Sequence, residues 1–198
     1  MPRLSLSELA AYAASGVISF PTDTVAGVAT LPHQGQRLYA LKQRPLEKPL
    51  ILMAARAVDL WPYVTGSAAE QARWADVAAA HWPGPLTLVL PASEQLPAAM
   101  NPMKTGTVGI RVPNHPVAQH VLSATGPLAT TSANRSGEPA LMDSDEIAAA
   151  FPQVGLLYTA AINDMMAGQP VRASGIASTV VRWSGDDWQV LRQGTIDL

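Results

Sequence analysis

Short apolar runs alternate along the chain with stretches whose apolar residues recur every three to four positions, the two periods of buried strands and amphipathic helices. Ser5 and Glu8 form a capping-box pair ahead of a helical stretch that Gly16 can end. "VISF", residues 17–20, predicts a short buried strand stopped by Pro21. A turn follows, and residues 36–43 regain helical spacing through Leu38 and Leu41 until Pro45 breaks it. "PLILMA" (49–54) predicts a second strand, and Ser67 with Glu70 caps a longer helix through Trp74, Val77 and His81 that ends at "WPGP".

The second half repeats the rhythm. "LTLVLP" (86–91) and "TVGIRV" (107–112) predict strands on either side of a loop rich in Pro, Met and Asn. Pro116 suits the first turn of a helix that Gly126 ends. "PLATTS" (127–132) predicts another strand, Asp143 or Ser144 caps a helix to Phe151, and a strand lies near residues 154–159. Residues 160–175 lack a clear period and read as a mobile loop. "IASTVVRW" and "WQVLRQG" predict a final strand pair around "SGDD". Strand and helix in alternation, with a β-rich end, predict one α/β domain built on a twisted mixed sheet flanked by helices.

Composition narrows the classes. In 198 residues, 48% are hydrophobic and 14% charged, ample for a sizeable core. A formal charge of −2 gives no field that would hold nucleic acid unaided, so any such contact needs a local patch. The absence of cysteine removes disulfides, thiolate zinc sites and cysteine nucleophiles. Glu8 interrupts the apolar N-terminus, which reads as a capped helix rather than a signal peptide, and no apolar run is long enough to span a bilayer. The expectation is a soluble cytoplasmic protein without membrane contact.

The usual catalytic signatures are missing. Neither glycine-rich phosphate motif occurs, no G-x-S-x-G elbow occurs, and His33, His81, His115 and His120 show no metal-binding spacing and read as surface or capping residues. What remains is polar chemistry at strand ends, where α/β sheets bind ligands. "FPTDT" places Thr22 and Thr24 after one strand, although both also suit a turn beside proline. "LKQRPLEKP" gathers Lys42, Arg44 and Lys48 before the next, and two of the chain's three lysines are in it. Arg111 sits in an apolar strand, where a cation needs a partner or a ligand. "ATTSANRSG" contributes Thr130, Thr131, Ser132 and Asn134, with turn amides that could form an anion nest, and Ser178, Thr179 and Arg192 follow near the C-terminus. Hydroxyls, an amide and several cations with few acids suit an anionic ligand such as a polyphosphate. Asp23 reads as a turn cap before a metal or water ligand.

"FPTDTVAGV", "LKQRPLEKPLIL", "HWPGPLTLVLP", "TVGIRVPNHP", "TTSANRSGEPA", "STVV" and "LRQG" stand in an order that resembles the YrdC/TsaC family of L-threonylcarbamoyladenylate synthases, over residues 5–194. The resemblance implies a twisted mixed sheet with a large concave, positively charged site in the short, single-domain form. It implies condensation of L-threonine, bicarbonate or carbon dioxide, and ATP with Mg²⁺ into threonylcarbamoyl-AMP and pyrophosphate. A separate transferase complex would then modify tRNA. It further implies that Thr24, Arg111, Thr130 and Ser178 bind threonine. Lys42, Arg44, Lys48, Thr107, Ser132, Asn134 and Arg192 would surround ATP. Lys42 and Arg44 would act electrostatically, with no covalent nucleophile and no protein-held metal.

Two positions depart from the family's pattern: Ala26 replaces a common aromatic, and Met53 stands where longer members often have histidine. Two other readings compete with synthesis. One is a non-catalytic module of the same fold that binds double-stranded RNA or tRNA, which the low charge disfavours; the other is a related branch with a different carbamoyl acceptor.

Overall fold

The computed structural model describes residues 2–167 and 173–198. Ten strands form one sheet in the order β1-β8-β2-β3-β7-β4-β6-β5-β9-β10. They are β1 (Arg3–Leu4), β2 (Ile18–Phe20), β3 (Gly27–Thr30), β4 (Ile51–Met53), β5 (Leu86–Pro91), β6 (Thr107–Arg111), β7 (Leu128–Ser132), β8 (Gly155–Leu157), β9 (Thr179–Trp183) and β10 (Trp188–Arg192). β4 and β6 run parallel, as do β5 and β9, whereas β3–β7, β4–β7 and β5–β6 are antiparallel. The sheet is mixed, as the sequence predicts.

Local chemistry sets the helix ends. In α1 (Leu6–Ala13) the Glu8 amide donates to Ser5 Oγ, and Glu8 Oε2 accepts from the Ser5 amide at 2.8 Å. Ser67 and Glu70 repeat the box for α3 (Ala68–His81). For α4 (Pro116–Thr125), buried His115 accepts the Val117 amide at Nδ1, so its role is a cap away from the surface, and Gly126 closes the helix at φ 76°. Asp143 caps α5 (Ser144–Ala150) by accepting from the Asp145 amide at 2.7 Å. The short α2 (Gln36–Lys42) stops at Gln43, which takes left-handed geometry before Pro45.

Two expectations fail. Residues 160–175 are not one loop, because α6 (Thr159–Met166) occupies their first half, with Ile162, Met165 and Met166 packed against the core. Residues 168–172 lie outside those described. The segment after Pro21 is more than a turn, since β3 pairs there with both β2 and β7. Gly, Val, Ala and Thr are too few for a period to show, and all four are buried on both faces.

The faces differ. Val28, Leu52, Leu88, Val108 and Ile110 point to one side and join Leu38 of α2 and Trp74 of α3 in the larger core. Ile18, Ala29, Met53 and Leu128 point to the other side and pack under Leu9 and Ala13 of α1 and Val117 and Val121 of α4. Strand alternation puts Gly27, Thr130, Ser132, Ile51, Gly109 and Arg111 on that second side too, beyond the reach of the two helices. Half of this face is covered and half is a trough. No helix among the described residues is long and apolar enough to cross a membrane.

Candidate functional site

The trough holds a cavity of about 300 Å³. Thr22, Thr24 and Ala26 enter from the β2–β3 loop, Thr130, Ser132 and Asn134 from the end of β7, and Ile51 and Met53 from β4. Gly175, Ala177 and Ser178 also line it, and Arg44, Arg111, Arg192 and Glu138 are the charged residues of the lining among those described. Eight expected site residues thus converge: Thr24, Arg44, Arg111, Thr130, Ser132, Asn134, Ser178 and Arg192. Ala26 and Met53, the two departures from the family pattern, both contribute wall.

Three others lie elsewhere. Thr107 lines an adjoining hollow of about 320 Å³ with Thr87, Gly109 and Arg182, which meets the first cavity at Ile51. Its side chain points along the same sheet face two residues before Gly109, one strand repeat down the trough. Lys48 is exposed, and its backbone carbonyl is what the site uses. Lys42 is buried behind the cavity wall.

Lys42 has four oxygens around Nζ: Thr131 Oγ1 and Asn134 Oδ1, each at 3.1 Å, together with Ser132 O and Ser132 Oγ. It clamps the S-A-N turn rather than lining the space. Burial, reinforced by neighbouring Arg44, pulls its pKa down to about 7, against the pull of the oxygen cage toward the ammonium form. The turn amides expected to form an anion nest are engaged: Ala133 N–H donates to Ala26 O, Asn134 N–H to Ser132 O and Ser136 N–H to Lys42 O. The side chains of the turn are engaged as well: Ser132 Oγ donates to Asn134 Oδ1 at 2.6 Å, and Asn134 Nδ2 donates to Arg135 O and Glu138 O.

Arg44 curls over its own loop, donating from Nε to Lys48 O at 2.9 Å and from a terminal nitrogen to Pro49 O at 3.0 Å. Neither contact carries charge, no carboxylate among the described residues forms an ion pair with it, and burial depresses its pKa. Arg192 grips Ser178 O with two N–H groups at 3.0 and 2.8 Å, and Ser178 Oγ meets Thr87 Oγ1 at 2.9 Å. Burial lowers the Arg192 pKa as well.

Arg111 ends β6 and is buried, and here an expectation needs correcting. Its counter-ion is Asp23, whose Oδ1 accepts from a terminal nitrogen at 2.6 Å, so Asp23 is an ion-pair partner rather than a turn cap. The turn is held by Thr22, whose Oγ1 accepts the Thr24 amide and donates to Val25 O. Sequence reading gave Asp23 the wrong role and missed Glu138 and the segment around Gly175. The two carboxylates were visible inside "PTDT" and "SGEPA", but nothing in either motif says which distant cation such a group meets.

The Sua5_yciO_yrdC family model, described as "Telomere recombination", matches residues 10–194. The chain belongs to the Sua5/YciO/YrdC family. A threonylcarbamoyl-AMP synthase from Serratia proteamaculans is 37% identical over 169 residues, covering 79% of this chain and 88% of the relative. One from Stutzerimonas stutzeri is 35% identical over 172 residues, covering 80% and 91%. The crystal structure of P. abyssi Sua5 complexed with L-threonine superposes with TM-score 0.80 at 27% identity over 96% of this chain, which spans only 54% of that longer Sua5 chain. E. coli YciO shares the fold, with TM-score 0.78 at 22% identity.

Proposed function

We propose that this family member is a threonylcarbamoyl-AMP synthase, a nucleotidyltransferase that joins L-threonine, bicarbonate and ATP. The observation that carries the reading is the convergence of Arg44, Arg111 and Arg192 with Thr24, Ser132 and Asn134 around one cavity. Relatives named for this activity cover most of the chain, and a Sua5 of the same fold binds L-threonine.

The residues divide the work. Arg111 uses three of its five N–H groups internally, leaving one on each terminal nitrogen for a two-point grip on the threonine carboxylate. Thr24 Oγ1 accepts from Arg111 and hydrogen-bonds Thr22 Oγ1, so it is fixed beside that grip, with Thr130 and Ser178 lining the same cavity. The neutral amine of threonine and bicarbonate give the carbamate and water. A carbamate oxygen then attacks the α-phosphorus of ATP, the bond from that phosphorus to the bridging oxygen breaks, and pyrophosphate departs. The protein aligns the two reactants and counters charge growing on phosphate oxygens, chiefly through Arg44 and Arg192, while Ser132 and Asn134 shape the wall beside them. Thr107 in the adjoining hollow extends the same trough for the nucleoside, and Lys48 lies on the rim of the loop that holds Arg44.

The described residues contain no cluster of three or more His, Asp or Glu that could hold a metal. Glu138 is the one carboxylate among the described lining residues, which fits Mg²⁺ bound mainly through the triphosphate with at most one protein carboxylate. When bound, the ion would neutralise phosphate charge.

Incubation with threonine, bicarbonate and Mg-ATP, followed by mass spectrometry, tests the reading. Threonine-dependent threonylcarbamoyl-AMP with stoichiometric pyrophosphate is expected. A protein that binds double-stranded RNA or tRNA yet releases no pyrophosphate would overturn it.

A further inference from the structure

Three acceptors from two segments far apart in sequence converge on Arg111. Nε donates to Gly84 O at 3.0 Å, one terminal nitrogen to Thr24 Oγ1 at 2.9 Å, and the other to Asp23 Oδ1 at 2.6 Å. Gly84 precedes β5. The β2–β3 loop that carries Asp23 and Thr24 is tied down in turn: the carbonyls of these two residues accept the amides of Ser174 and Gly175, each at 2.9 Å.

The carboxylate is costly where it stands. Its side chain is 10% exposed against 3% for Arg111, and Oδ2 is buried with no hydrogen-bond partner among the described residues. A buried ion pair kept only for stability would do better fully hydrogen-bonded, or replaced by apolar groups. Gly84 O and Thr24 Oγ1 are neutral, so Asp23 is the one charged anchor on the guanidinium among the described residues.

We propose that Asp23 is a positioning residue that fixes the plane of the Arg111 guanidinium, so that its two unused N–H groups meet the carboxylate of the amino-acid substrate. This rests on the synthase reading above. Asp23 touches neither reactant in this role; it acts through Arg111. Orientation wins over attraction here, because a bare arginine would attract a carboxylate more strongly but would hold it in no one pose.

Steady-state pyrophosphate release by Asp23→Asn, with threonine and ATP varied separately, tests the proposal. The expected result is a threonine KM raised about tenfold or more, with the ATP KM within about twofold. Asp23→Glu, which keeps the charge, should recover part of the loss and serves as the comparison if Asp23→Asn folds poorly. A threonine KM that is unchanged or lower in Asp23→Asn, or both KM values rising together in Asp23→Glu, would overturn it. If the wild type itself releases no pyrophosphate with threonine, the synthase reading fails first, so the two failures are distinguishable.

Discussion

Lys42 Nζ donates to Asn134 Oδ1 over 3.1 Å and so ties the end of α2 to the turn after β7, 92 residues further on. The lysine of the K-x-R-P segment therefore shapes the cavity wall from behind, while Arg44, two residues on, faces the cavity. Lys42→Met should leave Asn134 and Ser132 without their shared donor and weaken nucleotide binding about tenfold or more. Calorimetric titration with a non-hydrolysable ATP analogue checks this, and wild-type affinity would refute the clamp.

The same lysine sets a pH dependence of stability. Its pKa falls from 10.5 to about 7 on folding, chiefly through burial. Between those values the unfolded chain holds a proton that the folded chain lacks, so stability rises with pH across that window and this contribution is flat below it. The Tm difference between wild type and Lys42→Met should shift toward the wild type between about pH 6.5 and about pH 9.5. A pH-independent difference would contradict the assignment.

Arg44→Ala removes a cation from the cavity and two donors from the loop carbonyls of Lys48 and Pro49. Pyrophosphate release should fall about a hundredfold or more, as for loss of one preorganised electrostatic donor, with far-UV circular dichroism unchanged. Undiminished turnover would remove Arg44 from the mechanism.

Arg111→Lys keeps the charge and loses the planar fork. The threonine requirement should rise about 10–100-fold, the worth of a charge-assisted hydrogen bond, and more than the ATP requirement. Equal changes in both would undo the division of the cavity.

Gly194 lies against the segment that carries Ser178. A Cβ there would meet Ala177 O and Thr179 N, both at 2.5 Å, and backbone cannot swing aside as a side chain can. Gly194→Ala should cost about 1–3 kcal/mol, read as a Tm lower by several degrees. An unchanged Tm would show that the strand end yields freely.

The motifs that carry the site were legible because each is local. Pro, Thr, Ser and Asn at strand ends have turn and cap preferences that need only their neighbours, and the capping boxes of α1 and α3 stand where Ser5–Glu8 and Ser67–Glu70 place them. β3 was illegible because four small buried residues carry no period, and α6 because no capping side chain marks its start, Tyr158 standing at its N-cap without a capping hydrogen bond.

Sequence alone determined the class of fold, the run of strand-end hydroxyls and cations, and the family those motifs resemble, since residue type and spacing decide these within a few turns of chain. Tertiary structure alone decided which cation faces the cavity and which stands behind it. Arg44 and Lys42 are two residues apart and chemically alike, yet a buried amine needs oxygen partners, and only the folded sheet brings Thr131, Ser132 and Asn134 to Lys42. The same holds for Asp23 and Arg111, a pair made by strand order and not by sequence distance.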